Sequence, residues 1–322
     1  MHELKEWIAR QLRVDSAALD LAPASADASF RHYYRLSHAG RTLIAMDASA
    51  ERASCEPFVR IDRLLAQGGV PVPAIVAEDC ARGWLLLSDL GRETYLQVLT
   101  AANADRLFEA AIDALILLQR IAPPVSLPCY DVALLRRELE LFPEWYLQRH
   151  LGLGIDADLR TALDDVFELL IARALAQPGV LVHRDYMPRN LMAVQSGLPG
   201  VLDFQDAVQG PIAYDPTCLF KDAFISWPES DVQRWLRLYW ERARSAALPV
   251  PASFEAFYAD CDYIGAQRHL KVIGIFARIC HRDGKPKYLE DVPRFFAYLE
   301  GACARRPELA PLAALLQRLP AR

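Results

Sequence analysis

Paired cysteines, long apolar runs and excess positive charge are all missing from this 322-residue chain. Its seven cysteines are odd in number and scattered, and none forms CxxC, so reduced thiols in a cytoplasmic protein are the expectation. No stretch approaches the length of a membrane span. The most apolar, ALILLQRIA, is broken by Gln119 and Arg120, and no membrane role is expected. The opening MHELKEWIARQL places Leu4, Ile8 and Leu12 on one helical face and has no apolar h-region of a signal peptide. A net charge of −5 and a pI near 5.8 give no basic footprint, so nucleic acid is not an expected partner. Internal repeats and low-complexity tracts are absent too. What remains, 53% hydrophobic and 24% charged, is the composition of a soluble globular protein long enough for two lobes.

The two halves differ in texture. Up to about residue 88 a short helix is followed by strands. HYYRLSHAGRTLIAMDA has the form of a hairpin, turning at Ser37–Gly40 and continuing through a β-rich run from Thr42 to Met46. EPFVRIDRLLAQGG has helical spacing at Phe58, Ile61, Leu64 and Leu65 and closes on a glycine pair. VPVPAIVAED and GWLLLSDL are the next two strands. Beyond residue 91 helical patterns dominate, over 103–121, 132–150, 156–177, 231–246, 253–281 and 308–318. NLMAVQSGLPGVLDF interrupts them as two apolar runs around a turn. The fold class is α+β, a small β-rich N-lobe over 1–88 and a larger, mostly helical C-lobe over 89–322.

HRD occurs twice, and the surroundings separate the copies. His183, Arg184 and Asp185 are followed by Asn190 at the spacing of the kinase loop H-R-D-x-x-x-x-N, then by the hairpin, then by Asp203 in VLDFQD. Phosphoryl transfer needs a carboxylate to take the hydroxyl proton, here Asp185. It also needs oxygen ligands for a divalent metal, here Asn190 and Asp203. In the second copy Tyr288 stands where the Asn would be, and His281–Asp283 reads as a helix end stopped by Gly284 and Pro286.

Upstream the pattern is incomplete. WLLLSDLG reads as a hinge strand, with backbone groups of Ser88 and Leu90 facing an adenine edge; the plain alternative is a buried strand entering a turn. PASADASFRHYYRL has no glycine where a phosphate loop would lie, so Ser25, Ser29, backbone amides and Arg31 are left to cradle phosphate, against an ordinary turn. Met46 stands where a strand Lys is expected. Arg31, Arg35 or Arg41 would then supply the cation, and Glu51 or Glu56 the helix carboxylate unless these are solvated helix-start acids.

The series SxxASFRxYYR, MDA, LLLSDLG, HRDxxxRNLM, LDFQDAxxGPxxYDPxxLxxDAxxSWP and QRHLKVIGIFARxxxRDGKP resembles the aminoglycoside phosphotransferase superfamily from about Ala24 to Leu299. Within it the chain is similar to the anomeric sugar kinases of cell-wall recycling, which act at C1 of N-acetylmuramate and N-acetylglucosamine and also lack the Lys. The resemblance implies a protein-kinase-like fold with Mg-ATP at the hinge. It implies Asp185 as base, Asn190 and Asp203 as metal ligands, and Ser88 and Leu90 as adenine contacts. It also implies a sugar 1-phosphate product passed to a sugar-1-phosphate uridylyltransferase. A sugar needs hydrogen-bonding side chains, for which Glu144, Asp206, Asp222 and Arg278 or Arg282 stand out. Two other readings stay open. One is a kinase of an aminoglycoside or choline-like alcohol, with Asp206, Asp215 and Asp222 gathered around a cation. The other is a pseudokinase that binds nucleotide without turnover.

Overall fold

The computed structural model describes residues 1–24, 31–194 and 197–320. In chain order the elements are α1 (His2–Leu12), β1 (Ala22–Pro23), β2 (His32–His38), β3 (Arg41–Asp47), α2 (Cys55–Gln67), β4 (Ile75–Asp79), β5 (Trp84–Ser88), α3 (Tyr95–Val98) and α4 (Ala104–Gln119). Then come α5 (Val132–Leu139), a π-helical stretch (Phe142–His150), α6 (Ala157–Leu175), β6 (Gly179–Val182), β7 (Leu191–Met192), β8 (Gly200–Val201), β9 (Val208–Pro211) and α7 (Tyr214–Phe220). The chain finishes with α8 (Glu229–Ser245), α9 (Phe254–Asp283), α10 (Val292–Arg305) and α11 (Ala310–Gln317). They form two compact units, Met1–Ala101 with Arg189–Ala207, and Ala102–Pro188 with Val208–Arg322.

The first unit is built on an antiparallel sheet in the order β1-β2-β3-β5-β4. β2 and β3 pair from His32↔Asp47 to His38↔Arg41, closed by Ala39 and Gly40 at φ 50° and 74°. Two positive φ values suit the twist of a tight hairpin. Side chains alternate across a strand. Tyr34, Leu36, Leu43, Ala45, Trp84 and Leu86 therefore share one face, and they pack with Leu4, Trp7 and Ile8 of α1. Trp7 and Trp84 meet at 5.9 Å between centroids. β5 lies between β3 and β4, which is why its run Trp84–Leu87 is buried and apolar throughout. The short β7–β8 hairpin belongs to this unit. Val201 donates to the Pro71 carbonyl at 2.7 Å, Ala193 to that of Glu93 at 2.8 Å, and Met192 bridges to Thr94.

In the second unit α9 is the central element, buried along most of its length and packed by α5–α8 and α10. A helix covered on all sides has lost its amphipathic stripe, as it should in a core. Gly274 is where the chain between α5 and the π-helix crosses it: an added Cβ would stand 2.4 Å from the Leu141 carbonyl carbon and oxygen. The predicted helix 132–150 is in fact α5 followed by the π-helical stretch. Pro143 has no N–H to give, and beyond it the hydrogen bonds widen, Leu151 N reaching Tyr146 O at 3.0 Å. The second HRD ends α9, where Gly284 takes φ 67° and donates to the Cys280 carbonyl. α10 was not among the predicted helices. No helix among the described residues is long and apolar enough to cross a membrane.

Candidate active site

The predicted site residues fall into two sets, one in each unit. In the second unit β6 pairs with β9 from Gly179↔Pro211 to Val182↔Val208, and the HRD loop leaves the end of β6. Asp215, fully buried in the first turn of α7, accepts the His183 amide at 2.7 Å and the Arg184 amide at 3.0 Å. Burial pushes its carboxyl up to about 7, against those two donors. Arg184 sits at φ 75°, in a region that costs a residue with a Cβ about 1 kcal/mol or more. Asp185 donates its amide to His183 Nδ1 at 3.3 Å and accepts from the Met187 amide at 2.9 Å. Tyr186 is buried and anchors the loop to the Ala111 carbonyl at 2.8 Å.

Asp222 lies in this unit, fully buried. Its Oδ1 accepts the amides of Phe224 and Ile225 at 2.7 and 3.0 Å, while its buried Oδ2 has no partner. Arg268 of α9, 2% exposed, donates to the Lys221 carbonyl at 3.4 Å and lies within electrostatic reach of Asp185 and Asp222. Glu144 and Arg278 stand together elsewhere along α9. Glu144 is half exposed on the π-helix, 3.7 Å from Arg149. Arg278 is half-buried with an unpartnered Nε, and burial together with nearby Arg282 lowers its pKa.

In the first unit Leu202 donates to the Asn190 carbonyl at 2.9 Å, which makes Asn190 a neighbour of Asp203. Asp203 takes φ 64° and accepts from Gln205 Nε2 at 2.9 Å; Asp206 is exposed beside the same amide at 3.4 Å. Phe204 is buried against Phe58 of α2, with 4.8 Å between centroids, and so fixes the Asp203 turn to that helix. Arg31 Nε reaches Ser54 Oγ at 3.3 Å, and Tyr33 feels both Arg31 and Asp203, so the three side chains share one region. Ser29 lies outside the described residues.

At the predicted hinge the Ser88 amide donates to the Ala74 carbonyl at 2.8 Å, which leaves its carbonyl as the group for the expected base edge. Leu90 packs over Gly200, where a Cβ would stand 2.7 Å from its Cδ1. Arg35, one of the three cations weighed for the missing Lys, is committed elsewhere. Its guanidinium grips Asp89 at 2.6 and 3.0 Å and the Gly91 carbonyl at 2.7 Å. Burial would raise Asp89, but Arg35 and the Gly91 amide hold it below the usual carboxylate range. Arg41 is exposed at the hairpin end. Glu51 and Glu56 are exposed, in keeping with solvated helix-start acids, and Met46 is fully buried.

Residues 20–249 match the model of a phosphotransferase enzyme family, well over half of the chain. The chain belongs to that family. Among curated relatives, proteins named N-acetylmuramate/N-acetylglucosamine kinase align over nearly its full length. That of Pseudomonas aeruginosa is 58% identical, covering 94% of this chain and 89% of its own. That of Pseudomonas putida is 56% identical, covering 100% and 97%. Among solved structures, the ADP-bound aminoglycoside phosphotransferase APH(2'')-Ib superposes with a TM-score of 0.64 at 16% identity, covering 93% of this chain and 98% of that one. That likeness shows the fold, which is the expected α+β, protein-kinase-like one.

Three features of this phosphotransferase were missed in the sequence: the Arg35–Asp89 clamp, the anchoring of the HRD amides by Asp215, and the acids Asp62 and Glu138. Asp62 of α2 is 3% exposed with an unpartnered Oδ2, and burial pushes it up to about 7. An acid in the apolar stripe of a helix was the available signal for Asp62, and the same holds for Glu138 on α5. The other two depend on contacts more than thirty residues apart, which no local pattern carries.

Proposed function

We propose that this phosphotransferase is an ATP-dependent kinase of the anomeric hydroxyl of N-acetylmuramate and N-acetylglucosamine, working in the cytoplasm in peptidoglycan recycling. The observation that carries the reading is the match, over nearly all of the chain, to two kinases named for those sugars. The geometry supports it through the HRD loop. Asp185 sits on a loop anchored by Asp215 and Tyr186 and takes the hydroxyl proton as the γ-phosphoryl group leaves ATP. Ser88 and Leu90 hold the adenine edge. Arg31, beside Tyr33 and Asp203, is the cation left to pair the phosphates once Arg35 is committed to Asp89.

Asn190 and Asp203 offer an amide oxygen and a carboxylate, hard donors that suit Mg²⁺. A magnesium ion held by these two residues would complete its shell with water and phosphate oxygens. Bound there, magnesium supplies neutralisation of charge on the phosphate oxygens. Asp222, with its buried unpartnered Oδ2, and Arg278, with its unpartnered Nε, are the sugar contacts the structure favours; Glu144 and Asp206 are more exposed. Only N-acetylmuramate carries a carboxylate, the natural partner of Arg278. The sugar 1-phosphate would pass to a uridylyltransferase.

Two of the three acids of the cationic-substrate reading have other engagements: Asp215 holds the loop, and Asp222 accepts the amides of Phe224 and Ile225 within electrostatic reach of Arg268. The test is ATP turnover with Mg²⁺ on both sugars, their 1-O-methyl glycosides, kanamycin and choline, with products read by phosphorus NMR. Turnover of the free sugars and not of the glycosides is expected. Asp185→Asn should bind nucleotide and lose about 10²–10⁴ in kcat. Turnover confined to kanamycin or choline refutes the reading.

A further inference from the structure

The block QRHLKVIGIFAR contributes Gln267, Arg268 and Lys271, none of which the proposed chemistry uses. All three are buried in α9, and two of them end on one carboxylate. Glu138 of α5 accepts from Lys271 Nζ at 3.0 Å, Gln267 Nε2 at 3.1 Å, Arg184 Nη2 at 2.5 Å and the Tyr130 hydroxyl. Four donors fill the lone-pair positions a carboxylate offers. Burial alone would push Glu138 up; Lys271 and Arg184 outweigh it and hold it at about 2. Lys271 also donates to the Tyr214 hydroxyl at 3.2 Å, one residue before Asp215.

Arg184 immediately precedes Asp185 and holds its left-handed φ of 75° with two tethers, the amide on Asp215 and the guanidinium on Glu138. Such a conformation persists only where its surroundings over-determine it. Two cations share the one Glu138 carboxylate, and Asp185 feels the positive charge of Lys271 and of Arg268.

We infer that Glu138, together with Lys271, positions the catalytic loop: it fixes Arg184 from inside the second unit and so sets the direction of the Asp185 carboxylate. The inference rests on the reading of Asp185 as the base. Neither residue touches the reacting atoms. Their effect runs through Arg184, and a displacement of about 1 Å at a reacting group is enough for about 10²-fold in rate.

Glu138→Gln keeps the shape and removes the charge. Its kcat is expected to fall about 10- to 100-fold per nucleotide-binding site, with KM for ATP and for sugar within about threefold of wild type. Lys271→Met leaves Glu138 on Arg184, Gln267 and Tyr130 and should lose about 3- to 10-fold. The double variant should lose less than the product of the single effects, because it strands one cation, Arg184, where Glu138→Gln alone strands both Arg184 and Lys271. A residue of purely structural role would lower the fraction of folded, nucleotide-binding protein and leave kcat per site unchanged. Wild-type kcat per site in folded Glu138→Gln overturns the inference, as does Lys271→Met at wild-type kcat should Glu138→Gln not fold. Single effects that simply multiply overturn it as well. If the wild-type protein turns over no sugar, the sugar reading fails and the same comparison is made on ATP hydrolysis. If it turns over sugar and Glu138→Gln equals it, only the positioning inference fails.

Discussion

Replacing Asp62 by Asn should stabilise the protein progressively as pH rises. Asp62 is 3% exposed, its Oδ2 has no hydrogen-bond partner, and burial pushes its carboxyl from an ordinary 3.8 up to about 7. The folded state therefore holds this proton more tightly than the unfolded chain does. Below the unfolded value both states are protonated and nothing is lost. As pH climbs through the window from 3.8 to about 7 the unfolded chain releases its proton first, so folding loses stability; above about 7 the loss is constant. With one pKa unit worth about 1.4 kcal/mol, the loss is about 1.5 kcal/mol at pH 5 and about 4 kcal/mol at pH 8. Asn cannot titrate. Its buried NH₂ adds a pH-independent offset of about 1 kcal/mol, so the slope is the test and the absolute difference is not. Urea midpoints at pH 5, 6, 7 and 8 should show Asp62→Asn gaining about 2.5 kcal/mol on wild type between the ends of that range. A difference that stays flat across these pH values would refute the account of Asp62 as a buried acid without a partner.

Gly274→Ala gains about 1 kcal/mol of helix propensity, yet its Cβ would press at 2.4 Å on the backbone of Leu141, a rigid obstacle worth about 3 kcal/mol of overpacking. The net expectation is a loss of about 2 kcal/mol, read as a lower Tm; a higher Tm would show that the close approach is not there. Arg35→Met strands Asp89, whose carboxylate is 5% exposed, and releases the Gly91 carbonyl. It should raise KM for ATP about tenfold and cost about 2–3 kcal/mol of stability, and an unchanged KM would separate the clamp from the hinge.

Much of this architecture is legible in the sequence because its signals are local. The hairpin of β2 and β3, the glycine-closed α2 and the six helical stretches all announce themselves by period and turn residues. α10 was missed where Pro293 and Gly301 interrupt its pattern, although a proline in the first turn breaks no helical hydrogen bond. The division of the chain was less legible. Arg189–Ala207 belongs with the first unit through bonds to Pro71 and Glu93, partners a hundred or more residues away. For the proposed chemistry, motif spacing singled out Asp185, Asn190 and Asp203 as candidates. It also offered Arg35 as a phosphate cation, because a sequence shows that an arginine is near a strand and not that Asp89 has already taken it.

The carboxylates make the same point in energies. Asp62 and Glu138 are both buried helix acids, 3% and 5% exposed, and desolvation pushes each of them up. Asp62 has only Arg63 to oppose that push and ends at about 7. Glu138 has Lys271, Arg184 and two neutral donors, and ends at about 2. The opposite directions follow from the partners: the two cations that overcome desolvation at Glu138, Lys271 and Arg184, lie 46 or more residues away in the chain. An acid this well supplied is a fixed anion at any pH the protein meets, which is what an anchor for Arg184 requires. Asp62, by contrast, changes its charge near neutrality and offers nothing a constant hold could be built on. The anchor therefore belongs to the network that α9 brings to Glu138, and the motif spacing of the HRD loop reports only the residues that network holds.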